Sequence, residues 1–211
     1  MDKELILSSH YFPCIAYFVY LAKYEEGIID LGENYQKQSY RNRCRIYSAQ
    51  GALDLVIPLI TSSKTALNDV HIEMKSKWKT KHWRALCMAY NSSPFFDYYS
   101  IELKEVFFNE ENNLSIFNRQ IIKHLCIEIG IKPKINTSNI YINPLENHLD
   151  LRGSLHPKKN FKQISTYPRY TQTFESIQGF LPNLSIIDLL FNEGPESITY
   201  LQTIIEAQNL Q

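Results

Sequence analysis

The chain has no apolar stretch long enough to cross a bilayer. Its longest early run, residues 15–22, falls well short of the roughly 20 residues a span requires, and Lys23, Glu25 and Glu26 close it. A small-residue cleavage site is missing too, and Asp2, Lys3 and Glu4 precede the first apolar residues, which argues against a secretory signal and for a cytoplasmic protein. No low-complexity or Gly/Ser-rich segment interrupts the 211 residues, so a single domain is expected. Net charge is absent: 22 lysines and arginines balance 22 aspartates and glutamates, which excludes an unspecific polyanion binder, and 44% hydrophobic residues exclude disorder. The four cysteines, Cys14, Cys44, Cys87 and Cys126, form no CxxC pair and have no histidine at zinc spacing. They read as reduced, buried thiols, with no metal site. Nor is there a GxxxxGK[ST] loop, a GxGxxG, a GxSxG elbow, an HExxH or an Asp-x-Asp. P-loop, Rossmann, α/β-hydrolase and zincin chemistry therefore lack their parts, and no cofactor can be named.

What is present reads as α/β: a single domain with a mixed sheet, an N-terminal β-α-β unit, a β-hairpin and several packed helices. Residues 5–8 suggest a short buried strand, 14–24 an apolar helix capped by Gly27, and 28–31 a second strand. Alternation over 41–47 and 52–59, with a turn at 48–51, predicts a hairpin. It places Arg41, Arg43 and Arg45 on one sheet face and Leu53, Leu55, Ile57 and Leu59 on one face of the second arm. A strand is expected at 70–74, then a helix over 77–90 capped by Ser76, and another over 94–108 capped by Ser93, with Phe95, Tyr98, Tyr99, Leu103, Val106 and Phe107 toward the core. Phe117, Ile121, Leu125 and Ile129 recur every four residues between Asn113 and Gly130, an amphipathic helix with its cap and its stop. Residues 132–173 hold four prolines and little periodicity beyond a strand at 139–142, which suggests a lid or binding loop. Two helices, 184–191 and 195–207, close the chain.

Charge is segregated although it sums to zero. Residues 34–53, 74–96 and 151–174 contain no acid yet hold 14 of the 22 lysines and arginines. One reading is that a phosphate, pyrophosphate or carboxylate ligand completes the balance in a cleft; the other is a set of solvated faces. Residues 36–45 are dense in long polar groups, and an arginine fork suits phosphate. The same side chains have nearby acids, Glu25, Glu26, Asp30 and Glu33, with which to pair. His10 follows the first strand, where open α/β sheets place ligands. His82, between Lys81 and Trp83, has the same choice between chemistry and structure, whereas His124 reads as structural. Trp78, Trp83, Tyr90 and Phe95 among lysines keep base stacking, and with it RNA binding, open as a rival to core packing.

At residues 10–18, His-Tyr-Phe-Pro-Cys-Ile-Ala-Tyr-Phe, the sequence resembles the opening of the WbqC-like protein family, with Ala16 in place of a glycine. The likeness continues at 39–46 (Ser-Tyr-Arg-Asn-Arg-Cys-Arg-Ile), at 55–58, at 78–83, at 90–96 and at 184–194, in order along most of the chain. Residues 132–173 look shorter than in longer members. The resemblance implies association with O-antigen or other surface-polysaccharide production and a transferase activity, with aminoacyl or glycyl transfer as the suggested class. The expectation is then a transferase whose partner is a phosphorylated or nucleotide-linked small molecule. Lys37, Arg41 and Arg43 would hold its anionic group, His10 would do acid/base work, Gln36 and Asn42 would orient donor or acceptor, and His82 with Tyr90 would form a second wall. The alternative is a non-catalytic module binding nucleotide or RNA.

Overall fold

The computed structural model of the chain describes residues 3–24, 26–61, 64–159 and 161–208. Strand β1 (Glu4–Leu7) carries Leu5, Ile6 and Leu7 in succession, all buried, as a strand covered on both faces does. Helix α1 (Ile15–Lys23) is buried from Ile15 to Leu21 on every side, so protein must surround it. Gly27 does not cap that helix. The helix closes on the Tyr24 N–H to Tyr20 carbonyl bond, and Gly27 lies inside β2 (Glu26–Asp30), paired in parallel with Leu5. A Cβ there would meet the Leu5 side chain at 3.4 Å, an ordinary packing contact, so the sheet does not itself demand a glycine.

The hairpin is present, β3 (Arg43–Ser48) against β4 (Gly51–Val56), with Arg45 opposite Asp54. Arg41 lies before the strand and does not share its face with Arg43 and Arg45. Leu55 and Ile57 are buried, but Leu53 is exposed. The strand expected over 70–74 shrinks to a two-residue pairing of β5 (Leu59–Ile60) with β6 (His71–Ile72), after a 3-10 turn at Leu67–Asp69. Helix α2 (Trp78–Tyr90) takes no cap from Ser76: Lys77 stands before its first turn, and the Ser76 hydroxyl donates to the Glu73 carbonyl at 3.4 Å. Helix α3 (Phe96–Phe107) starts later than Pro94, and the Ser93 hydroxyl bonds Thr173 instead of capping it. Its core face is Phe96, Tyr99, Leu103 and Phe107; Tyr98, expected there, is 72% exposed. Helix α4 (Leu114–Ile129) is as expected: the Asn113 side-chain Oδ1 accepts from the Ile116 N–H at 3.0 Å, and Gly130 ends the helix with φ +84°.

Residues 132–173 are more than a loop. They supply β7 (Lys134–Ser138) and β8 (His148–Asp150), which flank the first two strands in the order β7-β2-β1-β8, every pair parallel. The strand expected at 139–142 belongs one step earlier in the chain. After α5 (Glu175–Gln178), helices α6 (Ile186–Glu193) and α7 (Ser197–Ala207), joined by the 3-10 turn Gly194–Glu196, pack on α1. One continuous apolar cluster links the sheet, the hairpin and all of the long helices. The architecture is mixed α/β, with a parallel sheet and separate antiparallel ribbons.

Candidate functional site

In a parallel sheet the strands deliver their following loops to one edge, where ligands gather. At this edge β1 runs into Ser8-Ser9-His10, β2 into Asp30–Glu33 and β8 into Leu151-Arg152. These junctions are buried and polar: Ser8, Ser9, His10, Asp30, Glu33 and Arg152 are all buried. Arg41 is inserted among them with no exposed surface. Its Nε lies 2.9 Å and one terminal nitrogen 2.5 Å from the two Glu33 oxygens, and that nitrogen also donates to Ser8 Oγ at 2.8 Å. The fork binds a carboxylate in two places, as guanidinium geometry favours. Asn118 of α4 donates to the Arg41 carbonyl at 2.8 Å and to that of Ser9 at 3.4 Å, tying the helix to the edge. Arg152 bonds Asp30 and, at 2.6 and 3.0 Å, Asp150, and lies over the Tyr141 ring.

His10 makes no such bonds. It stands between the rings of Tyr17 and Tyr40, at centroid distances of 5.2 and 5.7 Å, and neither ring nitrogen has a hydrogen-bond partner. Burial, then the charge of Arg41, then His156, hold its pKa well below the usual imidazole range, so the ring is neutral. Beside it Ser9 Oγ and Asn118 Oδ1 are also buried without partners. Buried polar groups are rarely left unpaired, and each costs about 1–3 kcal/mol. Others lie elsewhere, such as His124 Nε2, Tyr167 Oη and Ser197 Oγ, but at this edge those of Ser9, His10 and Asn118 fall together.

The rim is cationic. The pKa of His156, in the segment after β8, is lowered by burial and by Lys159, Arg41, Lys158 and Arg43. Lys158 reaches Gln38, and Arg45 donates to the Pro157 carbonyl at 3.4 Å, so residues 153–159 lie against 36–45. Two of the acid-free segments are therefore brought together. Their charge is partly met by protein: Arg41 pairs with Glu33, and Arg43 and Arg45 share Asp54 at 3.2 and 2.8 Å. Lys158 and Lys159 touch no carboxylate among the described residues. Of the two readings left open, pairing within the protein holds for Arg41, Arg43 and Arg45 through Glu33 and Asp54; Glu33 is one of the upstream acids considered. Asp30 pairs with Arg152 and Glu26 with Lys134, while Glu25 lies outside the described residues. The third segment meets the other two through its helix end, where the Tyr47 N–H donates to the Tyr90 hydroxyl at 3.2 Å and Ser93 bonds Thr173, and its Lys79 is turned to the Asn109 carbonyl and the Phe117 ring.

The remaining candidates are placed as follows. Gln36 is exposed and accepts from Arg41 at 3.4 Å, and Lys37 is exposed on the same turn. Asn42 is engaged in the fold, donating to the Ile57 carbonyl at 2.7 Å and accepting from the Tyr35 hydroxyl at 2.9 Å. His82 packs in the aromatic core, its Nδ1 2.9 Å from the Tyr11 hydroxyl, and burial lowers its pKa to about 4. Tyr90 donates to the buried Asp188 carboxylate at 2.8 Å; Tyr170 and Gln172 bond the same group. None of these contacts of His82 or Tyr90 involves His10 or Arg41. Trp78 is buried against Phe107 and Phe117, and Tyr90 against Phe191, which spends both rings on the core. Ser9, Asn118, Arg152 and His156 were not singled out from sequence, and Glu33 was considered only as a pairing partner for the arginines. Only their place next to strand ends could have flagged Ser9 and Glu33. Of metal-ligand type, Glu102, His124 and Glu128 lie within 4.8 Å of one another on α3 and α4, a grouping that exposed acids form without an ion.

The model of the WbqC-like protein family matches residues 8–156 and 154–200. A protein of Mycobacterium tuberculosis, named "Uncharacterized protein Rv1507c", is 28% identical over 228 residues, which cover 96% of this chain and 98% of that protein. No solved structure matches.

Proposed function

The chain belongs to the WbqC-like protein family, and on that premise we propose that it is a group transferase of surface-polysaccharide biosynthesis, acting in the cytoplasm on a phosphorylated or nucleotide-linked small molecule. The observation that carries the reading is His10: a neutral, buried imidazole with two unpartnered nitrogens at the C-terminal edge of a parallel sheet, behind a rim of Arg43, Lys158 and Lys159. A neutral ring can take a proton, and cations nearby stabilise an anionic leaving group. In aminoacyl or glycyl transfer the acceptor oxygen or nitrogen attacks the donor carbonyl carbon and passes its proton to a His10 nitrogen. The carbon–leaving-group bond then breaks, and the phosphate leaves at the cationic rim, taking that proton back. His10 is buried, so this chemistry requires residues 153–159 to open away from 36–45.

A thermal-shift screen of nucleotides, nucleotide sugars, acyl phosphates and amino acids tests this. A ligand at about 100 times its dissociation constant stabilises by about 2.7 kcal/mol. The reading predicts a phosphate-bearing hit that Lys158→Gln with Lys159→Gln weakens and His10→Gln leaves bound but unturned over. Stabilisation by RNA alone, with a steep salt dependence, would instead favour the nucleic-acid-binding module.

A further inference from the structure

The other side of α4 borders a separate groove of about 420 Å³, within the usual range of small-molecule sites. Ile122, Cys126 and Ile127 line it from the helix, Ile29 and Ile135 from β2 and β7, and Ile131 and Pro133 from the turn between. Ile127 on the helix wall is 65% exposed and Ile135 on the sheet wall is half-buried, so some apolar surface on each wall is left to water. Such walls lose dispersion contacts and gain from an apolar occupant. The polar members of the lining are Arg119, Lys123, Lys132 and Thr137, with no acid among them. None of these three cations touches a carboxylate among the described residues; Arg119 donates to the Ser115 carbonyl at 3.3 Å.

We propose that this groove binds an anionic amphiphile, a hydrocarbon chain headed by a carboxylate or a phosphate. The chain lies between α4 and the sheet, in contact with Ile122, Ile127, Ile131 and Ile135, and the head meets Lys123, Lys132 and Arg119. A neutral hydrocarbon would leave the three cations unanswered, and a small hydrophilic anion would leave the apolar walls wet. Helix α4 is the shared wall, since Asn118 faces the buried polar edge while Arg119 faces the groove. The inference stands apart from the transferase reading, as it uses none of the residues around His10.

Calorimetric titration of the full chain with octanoate, octyl phosphate, octanol, acetate and inorganic phosphate tests it. Octanoate or octyl phosphate should bind one to one, which of them binds better identifying the head. Octanol should bind at least about tenfold more weakly, and acetate and inorganic phosphate should give no heat at this site. Ile127→Glu, at an exposed position that tolerates charge, should weaken the amphiphile by about tenfold or more, and Lys123→Gln with Lys132→Gln should bring octanoate down to octanol. His10→Gln should leave the affinity unchanged, which separates this outcome from any failure of the transferase reading. Absence of binding, or binding at several sites indifferent to Ile127→Glu, overturns the proposal.

Discussion

Arg41 and Glu33 show what a buried ion pair does to a side chain's options. With no exposed surface and both forks on one carboxylate, Arg41 works as the clamp that fixes Ser8 and the loop beyond β1. Glu33→Gln leaves that guanidinium buried and unpaired, so urea unfolding should show a loss of about 3–5 kcal/mol. His82 gives a pH signature. Burial puts its folded pKa at about 4, below the 6.5 of an ordinary imidazole, so on acidification the unfolded chain takes up a proton that the folded chain refuses. Its contribution is intact above pH 6.5 and falls between there and about 4 by about 1.4 kcal/mol per pH unit; His82→Gln should flatten that slope in urea midpoints measured across this window. Tyr90→Phe removes one donor from buried Asp188 and should cost about 1–3 kcal/mol by the same method, without changing ligand affinity if its work is structural.

Elements whose signals are local were legible, and those made by distant pairing were not. Asn113 and Gly130 bracket α4 because a cap and a left-handed stop are decided within a few residues. Asn113→Ala should cost about 1–2 kcal/mol, read as a lowered thermal midpoint. The opening β-α-β unit and the hairpin could be read for the same reason, from a buried run and from alternation. Strand β8 could not: His148-Leu149-Asp150 has neither pattern, and it becomes a strand because β1 leaves an edge for it. Gly32 was passed over too, since its need appears only when the backbone of Ile140 and Tyr141 crosses it and leaves a Cβ 2.2 Å from the Tyr141 nitrogen. Gly194 is legible as the break between α6 and α7, but not its second reason: φ is +55° and the Phe95 ring would lie 2.6 Å from an added Cβ. At the candidate site the sequence marks His10 and the arginines by their type. Asn118 hides on an apolar-periodic helix and His156 in a segment with no pattern.

At the scale of the molecule, zero net charge conceals a gradient across the chain. Residues 36–45 and 151–159 are far apart in sequence and meet beyond the strand ends, where Lys158, Lys159 and Arg43 surround His156 and Arg41 lies behind it, beside His10. The central claim is that this rim takes an anion. The most direct measurement is the titration of the His156 ring followed by NMR, with and without pyrophosphate. Burial and then the surrounding cations hold its pKa down, so an anion bound among them should move it upward, and Lys158→Gln with Lys159→Gln should raise it in the free protein and abolish the response. A His156 titration that pyrophosphate leaves in place would contradict the account.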